Sequence, residues 1–300
     1  MSTWCGPVWG NQGVKRVLVT GADGSIGRAA VDGLQAAGYD VTGLSLRYDH
    51  SSTADRPLVG DARSAEDVTA ALDGVDAVLH LAAIPHPSLG TPEEVFENNV
   101  AATFNVLAQA GQQRIERVVI ASSINAFGVP MNVNDVEPAY YPLDEEVEAD
   151  IADAYSLSKS VDEQSARMAW RRWGINVIAL RFPLVKNREE LFKFAARAEN
   201  DPSVMAREGW AYLDLRDGVR AIIAALESTA AGAHVLGLAA DDILIDRKTD
   251  ELLREYAPTV PLRRAVQGRD SLVDTTRARE LLGFRPRYSI HDQAVSAITT

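Results

Sequence analysis

The feature that most constrains this chain is an alternation. From Lys15 onward, short apolar runs take turns with helical patterns. "RVLVT" (16–20), "DVTGLSL" (40–46), "RPLVG" (56–60), "DAVLHLAA" (76–83), "ERVVIASS" (116–123) and "INVIALRF" (175–182) read as strands, and 25–37, 64–74, 92–110 and 153–173 as the helices between them. Strands that are apolar along nearly their whole length must be covered on both faces, which is the situation of a parallel sheet with helices above and below it. Right-handed crossovers then make the sheet doubly wound.

Two regions depart from this rhythm. Residues 124–152 carry prolines at 130, 138 and 142 and read as one long loop. After Phe182 the elements become shorter, with helices expected near 187–198, 214–228, 247–256 and 274–282 and a strand at 233–239.

The first strand runs directly into "TGADGSIG" (20–27), where Gly21, Gly24 and Gly27 separate it from an alanine-rich helix. Glycine accepts positive φ and lets the backbone approach a ligand closely. A helix N-terminus offers free N–H groups and partial positive charge. Strand, glycine turn and helix start together imply a dinucleotide site at Gly21, Asp23, Gly24, Ser25, Ile26 and Gly27. No Walker lysine follows, which argues against an ATPase.

A second constellation lies on the helix after the fifth strand. Tyr155 and Lys159, in "YSLSK", are four residues apart and share one helix face. A free tyrosine has a pKa of about 10 and is a poor base near neutrality, and a neighbouring ammonium favours the phenolate. On spacing alone the pair reads either as a general acid/base with its tuning cation or as a Tyr–Lys pair on the surface.

The TGxxGxxG spacing with the later YxxxK resembles the extended branch of the short-chain dehydrogenase/reductase superfamily, the NAD(P)-dependent epimerases and dehydratases. Weaker matches fall in the same order: "GDAR" (60–63), "HLAA" (80–83), "NNVAAT" (98–103), "ASSINAFG" (121–128), "WAYLDLRDGVRAI" (210–222) and "DTTRARELLGFRP" (274–286). The resemblance covers roughly residues 14–288. It implies a Rossmann α/β fold with a smaller C-terminal substrate lobe: a leader at 1–13, an NAD(P)-binding domain at 14–182, and a mainly substrate-binding lobe at 183–300 whose segment 210–240 returns to the first domain.

The same resemblance implies roles for individual residues. Tyr155 exchanges the proton of a substrate hydroxyl, Lys159 holds the nicotinamide ribose, and Ser123, with Ser122 as the alternative register, binds the reacting oxygen. Asp61 and Ala62 meet the adenine, Leu81, Ala82 and Ala83 line the cofactor, and Asn99 stands in the family's asparagine position. His86, Asn125 and Arg181 are candidate substrate contacts. NAD enzymes usually place an acid at the end of the second strand. Here that place holds Ser45, and Arg47 follows, which favours NADP, while Asp49 keeps NAD open. The sugar-nucleotide members have an asparagine three residues after the arginine that ends the sixth strand, where this chain has Leu184.

Composition narrows the partners. The net charge of −12, from 42 acids and 30 bases, argues against nucleic acid and anionic lipid as partners. One cysteine, Cys5, excludes an intramolecular disulfide and suits a cytoplasmic enzyme. The longest apolar run, 75–84, is too short to span a membrane, and the N-terminus does not read as a signal peptide. Asp144, Glu145, Glu146, Glu148 and Asp150 read as a solvated lid, and no histidine or cysteine pattern points to a metal. The expected function is NAD(P)-dependent oxidation or epimerisation at a secondary alcohol of a sugar or nucleotide sugar, by a homodimer paired through the two long helices. The alternatives are a dehydrogenase of a free sugar or uronate and a non-catalytic NADP-sensing regulator.

Overall fold

The computed structural model describes residues 15–292, so the expected leader and Cys5 lie outside the described residues. Strands β1 (Arg16–Thr20), β2 (Asp40–Ser45), β3 (Arg56–Val59), β4 (Ala77–His80), β5 (Arg117–Ser123) and β6 (Asn176–Phe182) form where the apolar runs stand. β7 (Leu184–Lys186) and β8 (Tyr212–Asp214) pair with each other, and β9 (Ala233–Gly237) joins the main sheet. The helices are α1 (Ser25–Ala36), α2 (Ala65–Ala71), α3 (Pro92–Gln112), α4 (Ala154–Trp173), α5 (Arg188–Asn200), α6 (Leu215–Glu227), α7 (Thr249–Tyr256) and α8 (Thr276–Leu282).

The main sheet has seven strands in the order β3-β2-β1-β4-β5-β6-β9, all parallel. The strands of its centre are buried on both faces. One apolar layer joins the sheet to α1, α6 and α8 through Val31, Leu34, Ile222 and Ala278. The other joins it to α2, α3 and α4 through Val68, Val106, Leu107 and Ala169. The chain order reverses between β1 and β4, and the crevice beyond the carboxyl ends of such strands is where a doubly wound sheet receives its ligand.

Residues 124–152 are not a lid. A 3-10 turn (Ile124–Phe127) opens the segment, and the remainder threads the C-terminal lobe. The Tyr141 N–H donates to the Pro261 carbonyl at 2.9 Å and the Leu143 N–H to the Leu272 carbonyl at 2.7 Å. Tyr141, Leu143 and Val147 are buried in one core with Trp210, Tyr212 and Leu252. Of the acids expected to be solvated, Glu146, Glu148 and Asp150 are exposed, while Asp144 and Glu145 have partners. Asp144 accepts from Tyr140 and Arg263, and Glu145 accepts from the Gly237 N–H at 2.6 Å. Among the described residues no helix is long and apolar enough to cross a membrane, and no group of three or more His, Cys, Asp or Glu is placed to hold a metal ion.

Candidate active site

A cavity of about 600 Å³ opens at the carboxyl ends of β1, β4, β5 and β6. Its walls bring together the glycine turn, Leu81 and Ala83 after β4, Ser122–Asn125 after β5, Tyr155 and Lys159 on α4, and residues 182–186.

The glycines are demanded by the protein backbone as much as by a ligand. Gly21 has φ +69°, and a side chain there would meet the backbone of Leu81 and Ala82 at 2.9 Å. A Cβ on Gly27 would lie 2.1 Å from the Gly21 carbonyl oxygen. Gly24 begins α1 as an N-cap without a side-chain hydrogen bond, and the first turn contains no acid. The leading N–H groups of α1 therefore face the cavity with no capping side chain, an arrangement that suits a pyrophosphate.

Beneath this turn runs a buried polar chain. Thr20 Oγ1 accepts from the Leu81 and Ala82 N–H groups at 3.2 and 3.3 Å and lies 2.7 Å from His80 Nδ1, while His80 Nε2 lies 3.1 Å from Thr103 Oγ1. The network assigns the neutral tautomer with its proton on Nε2. Burial, reinforced by the charge of Lys159, pushes His80 down to about 3.

Helix α4 starts at Asp153, whose side chain accepts from the Ser156 N–H at 2.8 Å, and this start sets Tyr155 and Lys159 on the cavity wall. The buried Lys159 donates to the Ala121 carbonyl at 2.9 Å and to Asp162 at 3.1 Å. Burial pulls its pKa down, but Asp162, with help from Tyr155 and Glu163, outweighs burial and holds Lys159 above its ordinary value. Its ammonium lies 5.9 Å from the centre of the Tyr155 ring. Ser123 Oγ accepts from the Asn125 backbone and side-chain amides, both at 3.1 Å, which leaves its own proton to donate. The neighbouring serine is engaged elsewhere: Ser122 Oγ donates to Glu163 at 2.6 Å.

Several expected contacts lie elsewhere. Arg181 turns from the cavity into a bidentate ion pair with Glu163, at 2.8 and 2.9 Å, and so ties β6 to α4 rather than meeting substrate. Asn99 clamps the backbone of Ile84 from both sides and donates to Ser158, so it shapes the turn after β4 without lining the cavity. Asp61 is held by Arg63 through its backbone N–H and its guanidinium, Ala62 is buried, and neither belongs to the cavity wall. Asp23 accepts from the Asp49 N–H at 2.8 Å and faces His50 and Arg28, an acid that organises the 47–50 turn. Arg47 is 80% exposed and pairs with Asp49 at 2.7 Å. Ala82 abuts the glycine turn, while His86 and Asn125 line the cavity.

Two carboxylates escaped the sequence reading. Glu163 stands four residues after Lys159, so helical spacing alone places it on the helix face of Tyr155 and Lys159. Glu208, at the end of the 3-10 turn Pro202–Glu208, lines the cavity and carries no motif.

Comparison with known proteins gives the family. The profile of the NAD dependent epimerase/dehydratase family matches residues 17–237. L-arabinose 1-dehydrogenase (NAD(P)(+)) of Haloferax volcanii is 30% identical over 182 residues, covering 59% of this chain and 69% of that protein. UDP-glucose 4-epimerase of Corynebacterium glutamicum is 25% identical, covering 91% and 92%. Among solved structures, MoeE5 in complex with UDP-glucuronic acid and NAD superposes with a TM-score of 0.68 at 25% identity, covering 92% of this chain and 95% of that one.

Proposed function

This chain belongs to the NAD-dependent epimerase/dehydratase family, and from that premise we propose that it oxidises a secondary alcohol of a sugar-like substrate, with Tyr155 accepting the hydroxyl proton. The observation that carries the reading is convergence. Tyr155, Lys159 and Ser123 share one cavity wall, and the uncapped start of α1 stands on the same cavity. That arrangement fits a dinucleotide, with the leading N–H groups of α1 for its phosphates and Leu81 and Ala83 beside it. When bound, the cofactor supplies hydride transfer, and the protein supplies orientation.

Each residue then has a task. Ser123 donates its free proton to the substrate oxygen and fixes the hydroxyl beside Tyr155. The Tyr155 oxygen, which has no hydrogen-bond partner among the described residues, takes the proton as the phenolate and becomes the neutral phenol. Lys159, kept charged by Asp162, supplies positive charge beside the transfer and would hold the nicotinamide ribose of a bound cofactor.

The chain's own residues favour net oxidation of a free sugar over action on a nucleotide sugar. Leu184, which offers no hydrogen bond, lines the cavity where the resemblance places an asparagine. They favour NADP through Ser45 at the end of β2 and the exposed Arg47 just beyond it. Pairing of two copies through α3 and α4 is supported by the exposed Phe104, Leu157 and Trp170 on those helices.

Replacing Tyr155 tests the mechanism. Tyr155→Phe is expected to lower turnover by about 10²–10⁴-fold in an NAD(P)H absorbance assay over free sugars and nucleotide sugars, with cofactor binding retained. Turnover at the wild-type rate overturns the assignment.

A further inference from the structure

An ammonium has three protons to donate. Lys159 directs two of them into the protein, to the Ala121 carbonyl at 2.9 Å and to Asp162 Oδ2 at 3.1 Å. The third is left for the cavity that Lys159 lines. Asp162 stands one turn further along α4 and is 1% exposed. Its other oxygen, Oδ1, has no hydrogen-bond partner among the described residues. A buried carboxylate so placed is held chiefly by the charge beside it. Burial pushes the Asp162 carboxyl up, and Lys159, with help from the Thr103 hydroxyl, draws it back.

The other groups around Lys159 are neutral or already answered. On α4, Glu163 is bound by Arg181 of β6 and by Ser122 of β5. On β4, His80 is neutral. Thr103 of α3 and Ala121, Ser122 and Ser123 of β5 carry no charge. The titratable side chains elsewhere on the cavity wall are His86, Lys186, Arg197 and Glu208. Asp162 is therefore the counter-charge of the ammonium that stands 5.9 Å from the Tyr155 ring centre. Loss of a proton from the Tyr155–Lys159 pair adds one negative charge beside Asp162, whichever of the two groups releases it. A carboxylate at that place opposes the step, and a neutral side chain does not.

We propose that Asp162 is a positioning residue of the proton transfer, which acts through Lys159 and sets the pH at which Tyr155 serves as base. This rests on the proton transfer to Tyr155 proposed above. Tyr155 releases its proton to solvent to become the phenolate, and the phenolate then takes the proton of the substrate hydroxyl. Asp162 keeps Lys159 charged and at the same time offsets the charge that favours the first of these steps.

The test uses the full chain with NAD and NADP. Ionisation of Tyr155 is read as tyrosinate absorbance, taken as the difference between each protein and its Tyr155→Phe counterpart. Turnover of D-galactose, D-galacturonate, UDP-glucose and UDP-glucuronate is read by NAD(P)H absorbance as kcat/KM against pH. Asp162→Asn keeps the shape of the side chain and an oxygen that accepts from Lys159, but carries no charge. It is expected to move the tyrosinate midpoint and the rising limb of kcat/KM toward acid by about one pH unit or more, the order of one neighbouring charge. Asp162→Ser, smaller and also uncharged, is expected to move both in the same direction. A carboxylate needed only for folding would lower stability or kcat at every pH and leave both midpoints in place. Midpoints that stay, or that move toward alkali, overturn the role of Asp162 and leave sugar oxidation standing. A shifted tyrosinate midpoint without turnover of any of the four overturns the sugar reading and keeps the role of Asp162. A limb that moves while the tyrosinate midpoint stays removes Tyr155 as the base, and the action of Asp162 on it with it.

Discussion

The two ends of the candidate active-site cavity are built by different means. At the glycine turn the constraint is backbone against backbone: Gly21 against residues 81–82, and Gly27 against the Gly21 carbonyl. At the substrate end it is side chain against side chain. Glu163 locks Arg181 and Ser122, and Asn125 and Glu208 are left with capacity to spare. Backbone proximity leaves a fixed trace in sequence, because only glycine satisfies it. Side-chain pairing across α4, β5 and β6 leaves almost none.

The largest expected effect is at the lock. Glu163→Ala leaves the buried Arg181 guanidinium without its partner, and loss of one member of a buried pair costs roughly 3–5 kcal/mol. Denaturant unfolding should show that loss, and cofactor binding measured on the remaining folded fraction should survive it. A loss below about 1 kcal/mol, the range of exposed pairs, would mean that the substrate end does not depend on this tie.

The glycine end should respond in the opposite sense. Gly27→Ala forces a Cβ into the Gly21 carbonyl, and overpacking of this kind costs roughly 1–3 kcal/mol. Less global stability is lost than at the lock, but dinucleotide affinity, read by calorimetry, should fall sharply, because relief of the clash must move the turn that faces the phosphates. Unchanged affinity would show that the turn tolerates a side chain and that close approach is not what the glycine provides.

The same contrast explains what the sequence made legible. Strands buried on both faces announce themselves by unbroken apolar runs, and β1 to β6 stand where those runs do. β7 and β8, "LVK" and "YLD", are three residues each, too short for any periodicity to mark them. The 124–152 segment reads as a loop because its hydrogen-bond partners, Pro261 and Leu272, lie more than a hundred residues away. At the site, Tyr155 and Lys159 were legible because helical spacing is a local property. Asn99, Asp61 and Arg181 match family positions, yet their side chains are engaged by partners that no motif announces. Glu208 follows a stretch that carries no chemical pattern, and only the fold brings it to the cavity.

A last prediction concerns the floor of the glycine end, where the constraint is a proton. His80 is neutral in the fold because both ring nitrogens are engaged and no water-facing surface remains. Its folded value, about 3, lies below the ordinary 6.5. Between these values the unfolded chain binds a proton that the folded chain refuses, so the contribution is complete above pH 6.5 and is lost as the pH falls toward 3. From pH 7 to pH 5 the loss amounts to about 2 kcal/mol. Carboxylates also titrate toward acid, so the informative quantity is a difference of slopes. His80→Gln retains a donor and an acceptor for Thr20 and Thr103 but cannot titrate. Its stability, measured by urea unfolding at the two pH values, should fall less than that of the wild type by about 2 kcal/mol. Equal slopes would place a charged imidazole beneath the glycine turn. The Thr20 hydroxyl would then have to accept from the ring as well as from the Leu81 and Ala82 N–H groups. Only the Thr20–His80 bond would reverse, because the Nε2–H donates to Thr103 in either state.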